Sequence, residues 1–388
     1  MSEAASLDSG CYFVTDGEIA VVNLESARRR SWNRLARDPM GAGAAERIVE
    51  EEQMASQFLG DVGAHDRLEV LSMQLGLLDP TSARTALVQA QVASATHRFA
   101  DARCHLAKAE RDGASREAVD CLSLNIDQAC GARLDEVLRA RRRIAAESNS
   151  LEALVPLGAL LADLREFAEA EQVYRHALQV YQDVSPFAVA WVCFQLGVLW
   201  GELIPEPPTR CAADWYRQAI AYVPAYVKAR VHLAEIHLRC GEPVAAEVLL
   251  TPAVASGDPE VRWRLGDAMT SQGRFSEAET QLTAARSGFA HLLDKHLLAF
   301  VDHGAEFYAG SGNEIHRALD LARANVANRP TLRAFEQAYA IAVDAGDTGA
   351  ATELIADAIQ RWGSTDAFRR SSLAASRSEP MSNGSAAL

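Results

Sequence analysis

Leu157-Gly158-Ala-Leu-Leu-Ala-Asp-Leu-Arg-Glu-Phe167-Ala-Glu-Ala170 and Leu265-Gly266-Asp-Ala-Met-Thr-Ser-Gln-Gly-Arg-Phe275-Ser-Glu-Ala278 are two copies of one phrase. Leu-Gly is followed at a fixed distance by Phe-x-x-Ala. Looser copies lie between and around them, at a spacing near 34 residues. Self-similarity at that period predicts an all-α chain, a solenoid of stacked helical hairpins without a single central core.

Working outward, the small residue of the second helix recurs at Ala102, Ala170, Ala212, Ala246, Ala278, Ala318 and Ala351, with Glu136 in the slot between the first two. An apolar residue follows at +4 and usually Ala at +7, as in Ala170/Tyr174/Ala177 and Ala212/Tyr216/Ala219. That spacing is one stripe of an α-helix, where small residues let two backbones approach and the larger one fills the gap. Gly241 and Gly273 fall between paired helices, and Pro224 follows a second helix.

These residues resemble the tetratricopeptide-repeat (TPR) signature. The 190–224 stretch matches it best, with Leu196, Gly197, Trp200, Ala212, Tyr216, Ala219 and Pro224, and departs from it by extra residues at Ile204-Pro-Glu-Pro-Pro-Thr209. Units starting near 151, 227 and 259 are good copies, those near 83 and 332 fair, and those near 117 and 291 poor. The resemblance implies a right-handed α-solenoid over 82–365, preceded by a degenerate helical pair over 44–81. It speaks for fold and says little about function.

The ends read differently. Residues 11–23 place β-rich pieces on either side of Asp16-Gly17, a hairpin-type turn signal, so a short N-terminal β-hairpin is expected within a 1–43 segment. Such a hairpin either caps the first helices, the favoured reading, or adds to a partner's sheet. A basic helix follows at Glu25–Arg37, pairing with acids such as Glu50, Glu51 and Glu52, a run otherwise read as a solvated face. Residues 366–388, rich in Ser, Ala and Arg, are expected to be largely disordered, with a short capping helix at Ala367–Leu373.

Bulk properties narrow the classes. A formal charge of −14 and a pI near 5.2 argue against a nucleic-acid binder, which needs a basic face. The seven cysteines lack a C-x-x-C pair and read as packed thiols of a reducing compartment. The N-terminus lacks signal-peptide regions, and the apolar run Phe187–Gly201, broken by Gln195, falls short of a membrane span, so a cytoplasmic protein is expected.

No G-x-S-x-G, H-E-x-x-H, P-loop or dinucleotide fingerprint is present, and Gly310-Ser-Gly-Asn313 reads as a turn. The pairs His232/His237 and His291/His296 are five apart, too far around a helix to share an ion. No catalytic residue, metal site or cofactor is expected.

In TPR proteins the first helices of successive hairpins line a concave groove. Carried over by resemblance, that groove presents Trp191, Phe194, Lys228, Val231, Glu235, Glu260, Trp263 and Asp267 as partner-binding residues. No unit offers the Lys/Asn/Arg clamp by which some family members hold a C-terminal carboxylate. Trp191, Phe194, Val231 and Trp263 form an apolar-aromatic centre with acids beside it, suited to a segment with apolar anchors and basic residues; inter-repeat packing of the two tryptophans is the alternative. The expected function is therefore a non-catalytic adaptor or scaffold that binds a peptide segment or protein. Two alternatives stand beside it: an accessory protein presenting a substrate to a separate modifying enzyme or export machinery, and a peptide-responsive regulator. Self-association through an uncapped solenoid end is a further expectation.

Overall fold

In a computed structural model that describes residues 13–205 and 209–376, the repeat phrase does the work its chemistry predicts. Gly158 sits where a Cβ would stand 2.7 Å from the Tyr174 ring, and a Cβ at Gly266 would stand 2.8 Å from Leu282. Gly197 is filled in the same way by Tyr216. The glycine on one helix is thus a socket for the large residue on the next, and Ala170, Tyr174 and Ala177 are all buried around it. Gly241 and Gly273 turn between helices at φ 75° and 76°, a left-handed conformation that glycine adopts without strain.

The array begins with α1 (Gly17–Arg37), α2 (Ala44–Leu59) and α3 (Ala64–Leu78). Hairpins then follow as α4 (Ala83–Ala95) with α5 (Phe99–Arg111), α6 (Arg116–Ala129) with α7 (Leu134–Ser148), and α8 (Leu151–Asp163) with α9 (Phe167–Val180). Next come α10 (Pro186–Val198) with α11 (Thr209–Tyr222), and α12 (Val227–Arg239) with α13 (Pro243–Leu250). α14 (Pro259–Ser271) pairs with the first part of α15 (Phe275–Ala309), a 35-residue helix broken at His296, where φ is −133°. Its second part pairs with α16 (Ile315–Asn328), and α17 (Leu332–Asp344) pairs with α18 (Thr348–Trp362). Among the described residues there is no strand.

The structure corrects several expectations. The second half of the expected β-hairpin is the first turns of α1: Asp16 is its N-cap, accepting hydrogen bonds from the backbone N–H of Glu18 and Ile19 at 2.9 and 3.1 Å. Local capping chemistry and an inward stripe of Ala20 and Leu24 outweigh the β-propensity of Ile19, Val21 and Val22. Residues 11 and 12 lie outside the described residues. α1 packs on α2 and reaches α10 and α11, with Thr15 N donating to Val184 O at 2.8 Å.

Glu52 is fully buried rather than solvated. Arg28 holds it at 2.6 Å, Arg67 at 2.9 Å and the Trp32 indole at 2.8 Å, pinning α1, α2 and α3 together. Residues 366–376 are packed: α19 (Asp366–Arg369) and α20 (Ser372–Ser376) bury Ala367, Phe368 and Leu373 over α17 and α18. The rest of the expected tail lies outside the described residues. Only Cys130 and Cys193 of the described thiols are buried; Cys104, Cys121 and Cys240 face out. The stretch Pro186–Leu203 is apolar and long enough to cross a membrane, yet 56% of it is buried inside the protein, as a core helix would be.

The solenoid closes on itself. Asp66 of α3 reaches across to Lys295 and His296 at 3.1 and 2.8 Å. Asn328 donates to the His97 carbonyl at 2.9 Å, and Gln57 donates to the Tyr226 hydroxyl at 3.0 Å. Arg165 bridges to Glu336, and Arg333 to Glu202, each at 2.5 Å. Partners more than a hundred residues apart in sequence therefore face one another, and the concave side becomes a lumen.

Candidate functional site

The lumen contains two adjoining cavities of about 790 and 590 Å³. Gln57, Trp191, Lys228 and His303 line both, so the two spaces meet at that waist. His303 keeps 40% of its side-chain surface open although protein surrounds it, because it looks into this interior space. At the waist the Trp191 ring stacks on Phe194 with centroids 5.8 Å apart, and one part of the indole remains open.

Four of the eight residues expected in a groove come together here: Trp191, Phe194, Lys228 and Glu260. The other four do not. Trp263 is buried between Phe289 and Phe307, with its indole N–H on Ser311 at 3.0 Å and the Arg264 guanidinium stacked 3.5 Å from the ring centroid. Val231 lies in the core between hairpins with Val227 and Ala234. Glu235 is tied to Arg264, and Asp267 accepts from Ser311 at 2.6 Å. The reason is helical pitch. On α12 the lumen-facing residues are Lys228 and His232, four apart, so Val231 is turned towards the neighbouring helix.

The two cavities differ in charge. The larger is lined by Glu50, Glu152, Asp183, Asp258 and Glu260 against Lys228 and His303. His303 Nδ1 lies 2.5 Å from Glu260 Oε1, and that carboxylate, opposed by burial and helped by Asp302, lifts the imidazole to about 10. Glu260 is correspondingly lowered: burial would raise it, but the His303 charge prevails. By contrast, burial draws His65 and His97 down to about 4, so both are neutral walls of the same cavity. Among the described residues Lys228 donates its one hydrogen bond to Gln57 Oε1, at 3.3 Å.

The smaller cavity is the more basic. Arg141, Arg329, Arg333 and Lys228 line it, with His232, where burial lowers the imidazole's pKa but the Glu202 charge prevails and raises it. Its carboxylates are mostly engaged: Glu202 by His232 at 2.8 Å and by Arg333, and Asp302 by Arg329 at 2.6 Å. Asp163 has no ion-pair or hydrogen-bond partner among the described residues, and its enclosure pushes its carboxyl up to about 6. Among the described residues no cluster of three His, Cys, Asp or Glu side chains is placed to hold a metal ion.

Sequence reasoning missed Gln57, Glu202, His303 and Arg141, whereas the repeat register puts Arg333 on the groove side, where the structure has it. The first belongs to the degenerate N-terminal pair, and His303 to the poorly matching unit whose first helix starts only after the break at His296. For Arg141 a signal exists. α7 buries Val137, Arg141 and Ala145, an i, i+4, i+8 stripe, while Glu136, in the slot where other units carry alanine, is exposed. The degenerate helix is turned by one residue, which carries an arginine inward.

No family model matches the chain, and no curated protein matches it in sequence. Solved structures similar to it include PilW, a type IV pilus biogenesis factor, at 15% identity and TM-score 0.32, covering 56% of this chain and 96% of that one. A Rap protein complexed with competence and sporulation factor follows at 13% and 0.40, covering 75% and 87%. The APC/C hetero-tetramer Cut9-Hcn1 stands at 14% and 0.41, covering 93% and 74%. At overlaps this low none of them assigns an activity or a partner to this chain. The Gly-socket hairpins described above make the chain an all-α helical-repeat protein.

Proposed function

We propose that the protein is a non-catalytic adaptor that receives a peptide segment of a partner protein inside its lumen. The pair of cavities that meet at the Trp191 waist is the observation that carries this reading. A cleft of several hundred Å³, with an aromatic anchor and a few convergent polar groups, is the usual form of a binding site. The half-open indole stacked on Phe194 supplies an anchor surface, and the carboxylates of the larger cavity favour basic residues beside it.

The test is capture of a mixed-sequence octapeptide library by immobilised full-length protein. Enrichment of aromatic or aliphatic residues flanked by Lys or Arg is expected, falling about tenfold or more in Trp191→Ala, as for an anchor residue. Equal capture by the wild type and Trp191→Ala removes the lumen from the account.

A further inference from the structure

Arg141 carries a charge that the fold leaves unbalanced. The residue is 6% exposed, and its guanidinium donates only to neutral oxygens: Nε to Gln128 Oε1 at 3.1 Å and Nη2 to Asn125 Oδ1 at 2.6 Å. Among the described residues no carboxylate lies within ion-pair distance of it. An enclosed cation without a counter-charge is destabilising unless something neutralises it. Glu202 serves His232 and Arg333, Asp302 serves Arg329, and Asp163, the free carboxyl of the same cavity, feels the charges of Arg333, Arg329 and Arg165 and is not within ion-pair distance of Arg141.

Of the five guanidinium N–H donors, three have no partner among the described residues, and the side chain lines the smaller cavity. The two amides hold the fork in place: Gln128 is itself anchored by donating to the Pro156 carbonyl at 3.0 Å.

Resting on the lumen reading above, we infer that Arg141 is an anion subsite of the smaller cavity that takes a carboxylate of the bound peptide. A carboxylate matches the planar fork with two parallel hydrogen bonds. It also matches the charge, because Arg329 and Arg333 are paired with Asp302 and Glu202 whereas Arg141 has no ion-pair partner among the described residues. The segment then lies with its carboxylate against Arg141 and its basic residues in the acidic larger cavity, which fixes its direction through the waist. The carboxylate is either a free C-terminus or an Asp or Glu side chain.

The probes are sodium acetate and the octapeptide library made in two forms, with a free C-terminal acid and as the amide. Acetate is expected to raise Tm by about 2 °C or more over sodium chloride at equal ionic strength, and Arg141→Met to abolish that increment. Without acetate the Met variant is expected to be no less stable than the wild type, since an unpaired buried charge is removed; a role confined to bridging Asn125 and Gln128 predicts the opposite. Arg141→Lys keeps the charge without the fork and is expected to respond weakly, which keeps the test open if the Met variant misfolds.

With peptides, a preference for the free acid that vanishes in Arg141→Met identifies a C-terminus, whereas Arg141-dependent enrichment of Asp or Glu in both forms identifies a side chain. An acetate increment that persists in Arg141→Met overturns the inference. An Arg141-dependent acetate effect with no peptide captured supports the subsite and refutes the peptide reading.

Discussion

Single residues divide cleanly into those that build the repeat and those that face the lumen, and two tryptophans show the difference. Trp263 is 2% exposed against Phe289 and Phe307, whereas Trp191 stays partly open at the waist. Truncating a buried aromatic residue removes its packing and leaves a void. Trp263→Ala is therefore expected to cost about 3–5 kcal/mol in urea denaturation. A loss below about 1 kcal/mol shows instead that the indole is not a core element.

Histidines give a second prediction at this scale. Burial, opposed at His97 by Asp302 and reinforced by Arg329, and at His65 reinforced by His296 and Lys228, holds both imidazoles neutral down to about pH 4. The unfolded chain takes up those protons near pH 6.5, so stability is fully present above that pH and is lost as pH falls towards 4. Between pH 7 and pH 5 each histidine is expected to cost about 2 kcal/mol. His65→Phe, which preserves packing on Phe300 (5.0 Å between ring centroids), is expected to remove one share of that loss in pH-dependent urea melts. A wild-type stability that does not change over this range contradicts the assignment. His303 acts in the opposite sense: its raised value adds stability below pH 6.5 that is lost as pH rises towards about 10.

At the scale of elements, how much was legible follows from how local the determinants are. Good hairpins such as α8/α9 and α10/α11 announce themselves because socket and plug, Gly158 with Tyr174 and Gly197 with Tyr216, stand at fixed spacing within one unit. α1 was misread because its first turn is rich in β-branched residues, and the deciding facts are the Asp16 cap and docking on helices far along the chain. Asp16→Ala is expected to cost about 1 kcal/mol by removing the acceptor for two backbone N–H groups, measured by urea denaturation of the full chain. An unchanged midpoint shows that the cap does not hold α1. Half of the candidate site was legible for the same reason. Trp191 and Lys228 follow from repeat register, whereas Val231 and Trp263 differ from lumen residues by a rotation of less than one turn. Gln57 and His303 enter through cross-lumen closure, which no local spacing encodes.

For the whole molecule, closure converts a concave repeat surface into an enclosed space. Bridges such as Asp66 to His296 and Arg333 to Glu202 join walls from distant repeats. A ligand held there touches several repeats at once, so modest contacts from each combine, while the outer faces of α3 and α13, with exposed Met73, Leu77, Val244 and Val248, stay outside the site. The central claim is that the partner segment lies in the lumen and not on those outer faces. Photo-crosslinking of a mixed-sequence octapeptide library bearing one diazirine residue, followed by peptide mapping of the adducts, tests it most directly. Adducts concentrated on α10, α12 and residues 297–309 are the predicted result, and adducts concentrated on α3 or α13 contradict it.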